Sequence, residues 1–515
     1  MPAETSRGVR YPAPRGGFWY ALRTLTEHSE RERVAAAERY LPQWETGELP
    51  EAPQFRLHQL RTLIGPGLLM VGATIGGGEW MFGPIVTARY GGAVMWIAAV
   101  SVAFQVVFNL SVMRYALYTG EPIFVGLLRT FPGPKFWIVF YLIADSGYIW
   151  PYVASNAAVP VAAAWLGRLP GPQDDSLVRA LGYVIFLSCF IPLIFGGKVY
   201  TAVERFMTAK VVFVFGFLLV VDVFLVSWDS WWAVLSGFAK VGVLPEGDVD
   251  WATLAAFAAV AGVGGLSNTL FSNYARDKGW GMGSLVGAIP SLVGGKKIAL
   301  SPVGKVFKMT PENLERWNGW LGYIRRDQLW IWGLGSLIGM ALPAMMSLEF
   351  LRGVEVDGHA AAAMTARGIA DQHGDVFWYL TLLCGFVVLG VGFIQTLDGI
   401  VRRWTDVLWS ASGRLRSKTG GVQNIYYGVL FTYCLWGLLA LWLTPNPLVL
   451  AIVSSVCGNV GLGVSGVHTL YVNRKLMPRE LRLPWYMQLG LVGAFIFFLG
   501  ISGIALRQYL GGAGY

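Results

Sequence analysis

Val71-Gly72-Ala73-Thr74-Ile75-Gly76-Gly77-Gly78-Glu79-Trp80 lies inside the first long apolar run of the chain, 62–87. A run of that length is what a helix needs to cross a bilayer. Three consecutive glycines at its centre are each about 1 kcal/mol poorer than alanine in a helix. The pattern predicts a membrane helix that unwinds in mid-span. Lipid cannot satisfy unwound N–H and C=O groups, so such backbone lines a cavity or is buried in protein. A second run, 251–275, carries the same signal in Ala261-Gly262-Val263-Gly264-Gly265-Leu266-Ser267-Asn268. Gly-interrupted spans at corresponding places in two halves of a chain point to the central site of a transporter. The bland alternative is that these glycines only let helices pack closely.

Working outward, further apolar runs fall near 92–113, 136–166, 180–197, 204–227, 328–350, 377–400, 423–443, 446–471 and 485–507, making eleven spans with the two broken ones. Span 1 opens a first group of five and span 6 a second. Composition agrees: of 515 residues 55% are apolar, 14% are charged and 65 are glycine, and mean hydropathy is +0.51. Soluble domains average about 25% charged residues. A soluble enzyme, a disordered chain and a nucleic-acid-binding module are thereby excluded, despite a net charge of +9. The basic residues read instead as topology signals. With the N-terminus in the cytoplasm, the inward loops collect Arg114, Arg129, Lys135, Lys198, Arg205, Lys210, nine Lys and Arg between Arg276 and Arg326, then Arg402, Arg403, Arg414, Arg416 and Lys418, and Arg474 to Arg482. That bias follows the positive-inside rule and puts the C-terminus outside, in a bacterial-type inner membrane. Tryptophans near span ends, such as Trp228, Trp231 and Trp232, fit interfacial belts.

The expected domains are a polar, Arg-rich cytoplasmic tail over 1–60 and one transporter domain over 61–510. The latter divides into a first repeat at 61–227, a second at 251–475 and an extra span at 485–507. No cleavable signal opens the chain, so the first span also acts as the insertion signal. Trp19–Tyr40 is a candidate amphipathic or solvated helix. The inward loop 276–327 has a Gly-rich part and a helical stretch, Pro311–Tyr323, and the outward loop 351–376 a short helix, Ala360–His373. Cys189, Cys384, Cys434 and Cys457 all sit in apolar runs without a CxxC, which reads as packing rather than a disulfide or zinc framework.

Glu79 is the leading functional candidate, because a carboxylate so deep costs several kcal/mol unless paired, hydrated or bound to a cation. It either holds a cation or is a hydrogen-bonded structural group. Asp145 in span 3 carries the same two readings. Asp222 is expected to be hydrated near the outer end of span 5, Asp398 to pair with Arg402 at i+4, and His468 to be packed and neutral. No Ser/His/Asp set or HExxH is present, so no enzyme is expected.

At Gly65-Pro66-Gly67-Leu68-Leu69, Tyr200–Arg205 and Asn473-Arg474-Lys475-Leu476-Met477 the chain resembles the Nramp family of divalent-metal transporters, from about Gly65 to Trp485. The resemblance implies an all-α membrane protein with a five-plus-five inverted repeat of LeuT/APC type, spans 1 and 6 being broken around a metal site, and ion transport by a symporter. The family's DPGN falls at Gly76, Gly77, Gly78 and Glu79, and its A-x-x-M-P-H-N at Gly262 to Asn268. The metal-binding Asp, the thioether and the His are therefore replaced, by Gly76, Gly265 and Ser267. Its acidic positions in span 3 fall at Asp145, Tyr152 and Ser155, expected to serve proton transfer or gating, and a polar position in span 10 at Asn459. What remains is Glu79, unwound carbonyls, Ser267, Asn268, Asn459 and Gln395, an oxygen-only set. Oxygen suits a hard cation such as magnesium, which keeps several waters. The expected function is therefore secondary transport of a divalent or other hard cation by alternating access, with Glu79 as the metal-binding carboxylate. The cation is cargo and no cofactor is expected. The expected partners are the bilayer and the transported solute, with no nucleic acid and no obligate protein partner.

Gly72-Ala73-Thr74-Ile75-Gly76-Gly77-Gly78 also resembles the "GAxIGxGIF" run of amino-acid transporters of the wider superfamily, in which bare backbone N–H groups hold a substrate carboxylate. Transport of a small organic solute such as an amino acid is the alternative, and a non-transporting receptor using loop 276–327 is a third class.

Overall fold

The computed structural model describes Ala35 and residues 38–53, 65–194, 199–289, 300–354, 358–419, 421–443 and 447–511. Almost all are helical. Among the described residues nine helices are long and apolar enough to cross a membrane: Gly92–Thr119, Pro172–Ile194, Val199–Leu225, Trp251–Lys278, Pro311–Phe350, Asp375–Ala411, Val422–Leu443, Pro447–Leu476 and Trp485–Leu510. The chain is a multi-pass membrane protein. The other two expected spans are each built of shorter helices. Span 1 comprises Pro66–Thr74 and Gly83–Tyr90; span 3 comprises Pro134–Ala144 and Tyr152–Leu166, with Pro151 at the junction. Two helices start earlier than the apolar runs imply. Span 4 starts at Pro172 rather than 180. The helix of span 7 begins at Pro311, capped by Thr310, and continues through a π segment, Asp327–Gly333. The helix expected at Ala360–His373 runs over Met364–His373. Most of the stretch Trp19–Tyr40 lies outside the described residues.

The opening Gly65-Pro66-Gly67 has a local explanation. Pro66 occupies the first helical turn, where its missing N–H costs nothing. The Gly67 N–H donates to both carboxylate oxygens of Asp327, at 3.1 and 3.0 Å. A carboxylate brought in from span 7 thus caps the positive end of span 1. A Cβ at Gly67 would stand 2.6 Å from that carboxylate, so only glycine admits it.

The tail is not separate from the bundle. Glu45–Gly47 pairs in parallel with Lys305–Phe307. Arg316 and Trp320 donate to the carbonyls of Leu49 and Pro50. Beside this seam Glu121 accepts from Tyr115, Arg129 and the Gly304 N–H, while Arg129 also reaches the carbonyl of Pro42. Burial works against the charge on Glu121, but the field and hydrogen bonds of Arg129 override it and hold the carboxyl below its ordinary 4.5.

Several residues expected in loops or water are instead inside the bundle. Arg402 and Arg403 lie in helix Gly392–Ala411 and are fully buried. Arg402 bonds Asp277 and, at 2.9 Å, Asp398, the expected i+4 partner. Tyr274 and Tyr426 donate to the same Asp398. Arg403 donates to both oxygens of Asp145 at 2.6 Å, and Arg276 pairs with Asp277 and Asp406. This ionic cluster ties spans 3, 6 and 8 together at the end of the bundle where the tail docks. Lys210, also assigned to a loop, is buried in mid-helix. Asp222, expected to be hydrated, is buried, and neither carboxylate oxygen has a hydrogen-bond partner among the described residues. His468 is packed as expected, with its ring nitrogens on Thr130 and Tyr141.

Candidate functional site

The two breaks meet. Helix Pro66–Thr74 ends where Ile75 turns to ψ 82, and the chain resumes as a π segment, Gly78–Phe82. Helix Trp251–Val260 ends at Ala261. Gly262, Gly264 and Gly265 then take φ of +98, +71 and +56, a left-handed backbone that disfavours any side chain. A short 3₁₀ turn, Gly265–Thr269, leads into helix Leu270–Lys278. The glycine runs therefore both unwind the helices and allow close contact. A Cβ at Gly78 would come 2.2 Å from the carbonyl oxygen of Val260, so the segment after the first break packs directly on the end of the helix before the second.

Glu79 joins the breaks. One oxygen accepts from the Gly76 N–H at 3.1 Å and the other from the Gly262 N–H at 3.2 Å. The side chain is fully buried. Two backbone donors on one carboxylate are each worth about 1.5–3 kcal/mol, and they satisfy N–H groups that unwinding had freed. The remaining freed groups of the second break are met from span 2. Gln105 Oε1 accepts from the N–H groups of Val263 and Gly264 and from Asn268 Nδ2, at 3.2, 3.1 and 3.0 Å. Its Nε2 donates to the Ala261 carbonyl at 2.6 Å. Ser101 donates to the Ala258 carbonyl.

A cavity of about 40 Å³ lies beside this junction, lined by Thr74, Gly76, Gly77, Tyr152, Gly262, Ser267, Gln395 and Thr396 together with Ala73, Val153, Val260, Val263 and Gly392. One water needs about 10–15 Å³ by this measure, so the space holds roughly three. Six expected site residues line it: Gly76, Gly77, Gly262, Ser267, Gln395 and Tyr152. Glu79 and Gly78 form the layer behind. Asn268 turns to Gln105 and Asn109 of span 2, and Asn459 donates to the Ala255 carbonyl; neither lines the cavity, and nor does Gly265. Asp145 sits in the ionic cluster, where Trp404 also donates to it. Ser155 lines a different small cavity, with Asp175, Arg179 and His359. Among the described residues no three His, Cys, Asp or Glu side chains come together to hold a metal ion. A cation beside the lone carboxylate of Glu79 would thus be held by waters, hydroxyls and carbonyls.

Sequence reasoning missed Thr74, Thr396, Gln105 and Lys210. Lys210 had a readable signal, since it lies six residues inside the expected span 204–227. Gln105 had a weaker one, a lone amide in 94–108, a stretch apolar but for Ser101.

No protein-family model matches the chain, and no curated protein matches it in sequence. Solved structures do match in fold. A crystal structure of a mutant of the manganese transporter of Eremococcus coleocola superposes with a TM-score of 0.62 at 12% identity, over 92% of each chain. The same transporter in complex with an aromatic bis-isothiourea substituted compound gives 0.59 at 11% identity, over 90% of each chain. The chain therefore shares the fold of that manganese transporter, an all-α membrane bundle as expected.

Proposed function

We propose that the chain is a secondary transporter, a divergent Nramp-like protein, that moves a small hard cation by alternating access through the cavity between the two breaks. The observation that carries this reading is Glu79. A single carboxylate bridges both unwound segments beside a polar cavity, so a cation drawn to it would pull on both halves at once. The dimensions agree. Roughly three waters' worth of space suits an ion with part of its shell, and Thr74, Tyr152, Ser267, Gln395 and Thr396, which carry hydroxyls and one amide, are among the residues lining it. Magnesium is the leading candidate, because it binds through one or two carboxylates and keeps its waters. In this reading the N-terminus is cytoplasmic and the buried ionic cluster lies on the cytoplasmic side, closing that route.

A second reading, transport of a small uncharged or zwitterionic solute such as an amino acid, is favoured by one observation. The Lys210 ammonium lies within the electrostatic reach of Glu79, and a site already balanced in charge has less need of a cation. Titration calorimetry on the purified protein separates the two. Magnesium, manganese and a panel of amino acids are each titrated into wild type and Glu79→Gln. The cation reading expects magnesium binding that the variant loses at least tenfold. Amino-acid binding with no response to either metal would replace it with the second.

A further inference from the structure

Lys210 lies in the middle of helix Val199–Leu225, 2% exposed, and its Nζ has no hydrogen-bond partner among the described residues. A buried ammonium without acceptors is costly, and a chain keeps one in the membrane only where it serves something. Its place is specific. A Cβ at Gly392 would stand 2.6 Å from Nζ, so the ammonium rests on bare backbone at a residue that lines the central cavity. The groups whose field reaches it are Glu79 and the Cys384 thiol.

Charges on the surrounding elements are engaged elsewhere. The helix of Lys210 packs against Pro66–Thr74, Leu270–Lys278, Leu334–Phe350, Asp375–Phe386 and Gly392–Ala411. Asp277, Asp398 and Asp406 are held by Arg402 and Arg276. Lys278 pairs with Glu204, and Glu349 accepts from Ser227 and Ser230. Asp375 stands at the start of its helix, more than two turns before Cys384. Asp222, on the same helix as Lys210, is 12 residues further along, about 18 Å.

We propose that Lys210 is the proton-carrying counter-charge of Glu79, so that transport exchanges the cation for a proton. This rests on the cation reading above. In the empty site the carboxylate and the ammonium balance, and the pair changes sides with no net charge. An arriving cation is repelled by the ammonium in a medium where charges act strongly. The repulsion falls when one N–H bond of Lys210 breaks. The electron pair stays on Nζ and the proton passes to cavity water on the side then open. After the cation leaves on the other side, the amine takes a proton from water there and the balance returns. Nothing is oxidised or reduced. Lysine suits the task because it gives up its proton when buried, whereas arginine does not.

The test is calorimetric titration of the full-length protein with magnesium chloride, then manganese chloride, in two buffers of different protonation heat. Wild type is expected to release close to one proton per cation bound. Lys210→Met is expected to bind the cation at least tenfold more tightly with no proton released, and Lys210→Arg at least tenfold more weakly, again with none. Cation binding by wild type without proton release would overturn the exchange and leave the transport reading standing. Undiminished proton release in Lys210→Arg would overturn it as well. Absence of cation binding in both wild type and Lys210→Met would remove the cation reading and the exchange together. The wild-type measurement needs no variant to fold.

Discussion

At the scale of single residues the three central glycines do different work. Gly77 has an ordinary helical backbone, φ −61 and ψ −31, and a Cβ there would meet only the Tyr152 ring at 3.6 Å. Gly77→Ala is therefore expected to fold with a melting temperature close to wild type. Gly78→Ala forces a methyl group onto the Val260 carbonyl and is expected to destabilise the protein by about 1–3 kcal/mol. Thermal melting of the two variants in detergent checks the pair; equal melting temperatures would mean the breaks are not packed on each other as described. The sequence disclosed that glycine was needed here, but which glycine unwinds and which packs depends on a helix far along the chain. Glu79 was legible as an expensive carboxylate. That its two oxygens would go to Gly76 and Gly262, one on each break, was not, since no spacing rule links the two segments.

At the scale of elements, the second break is held open by span 2. Gln105 answers three donors and one carbonyl around it. Gln105→Leu leaves those buried groups unmet, at about 1–3 kcal/mol for each. It is expected to lower stability markedly while Ser111→Ala, on the same helix with its hydroxyl on its own backbone, does not. Hydrogen exchange should then rise at Val263 and Gly264 first. The apolar spans and both breaks were legible because glycine and apolar runs act locally, whereas the polar starts of the helices at Pro172 and Pro311 were not. The buried Arg402 and Arg403 were misread for the converse reason. Arginines near the end of an apolar run look like loop residues until the carboxylates that neutralise them, Asp277, Asp398 and Asp145, are brought together by the fold.

The tail seam makes a pH prediction at the same scale. Arg129 keeps Glu121 charged in the folded protein below its ordinary range. A carboxyl with a lowered folded value contributes stability that is present above its unfolded value, near 4.5, and that is lost as pH falls through the lowered folded value. Protection from hydrogen exchange over residues 41–50, relative to the intrinsic rate at each pH, should therefore be unchanged from pH 7 to 5 and fall below about 4. Glu121→Gln should show the loss of protection already at pH 7.

At the scale of the molecule, the fold places two unwound segments against each other with one carboxylate between them, a small polar cavity beside them and, behind Gly392 of its wall, an ammonium with no hydrogen-bond partner among the described residues. The all-helical membrane architecture was readable in the sequence because long apolar runs and the glycine breaks within them act locally. The cavity was less so, because its lining comes from spans 1, 3, 6 and 8, which no linear pattern places side by side. The central claim, that a cation crosses at Glu79, is tested most directly by magnesium uptake into proteoliposomes. Wild type is expected to accumulate the ion down an imposed gradient, and Glu79→Gln, incorporated at equal density and equally folded, to fall at least tenfold towards the rate of protein-free vesicles. Uptake by Glu79→Gln equal to wild type would contradict the account.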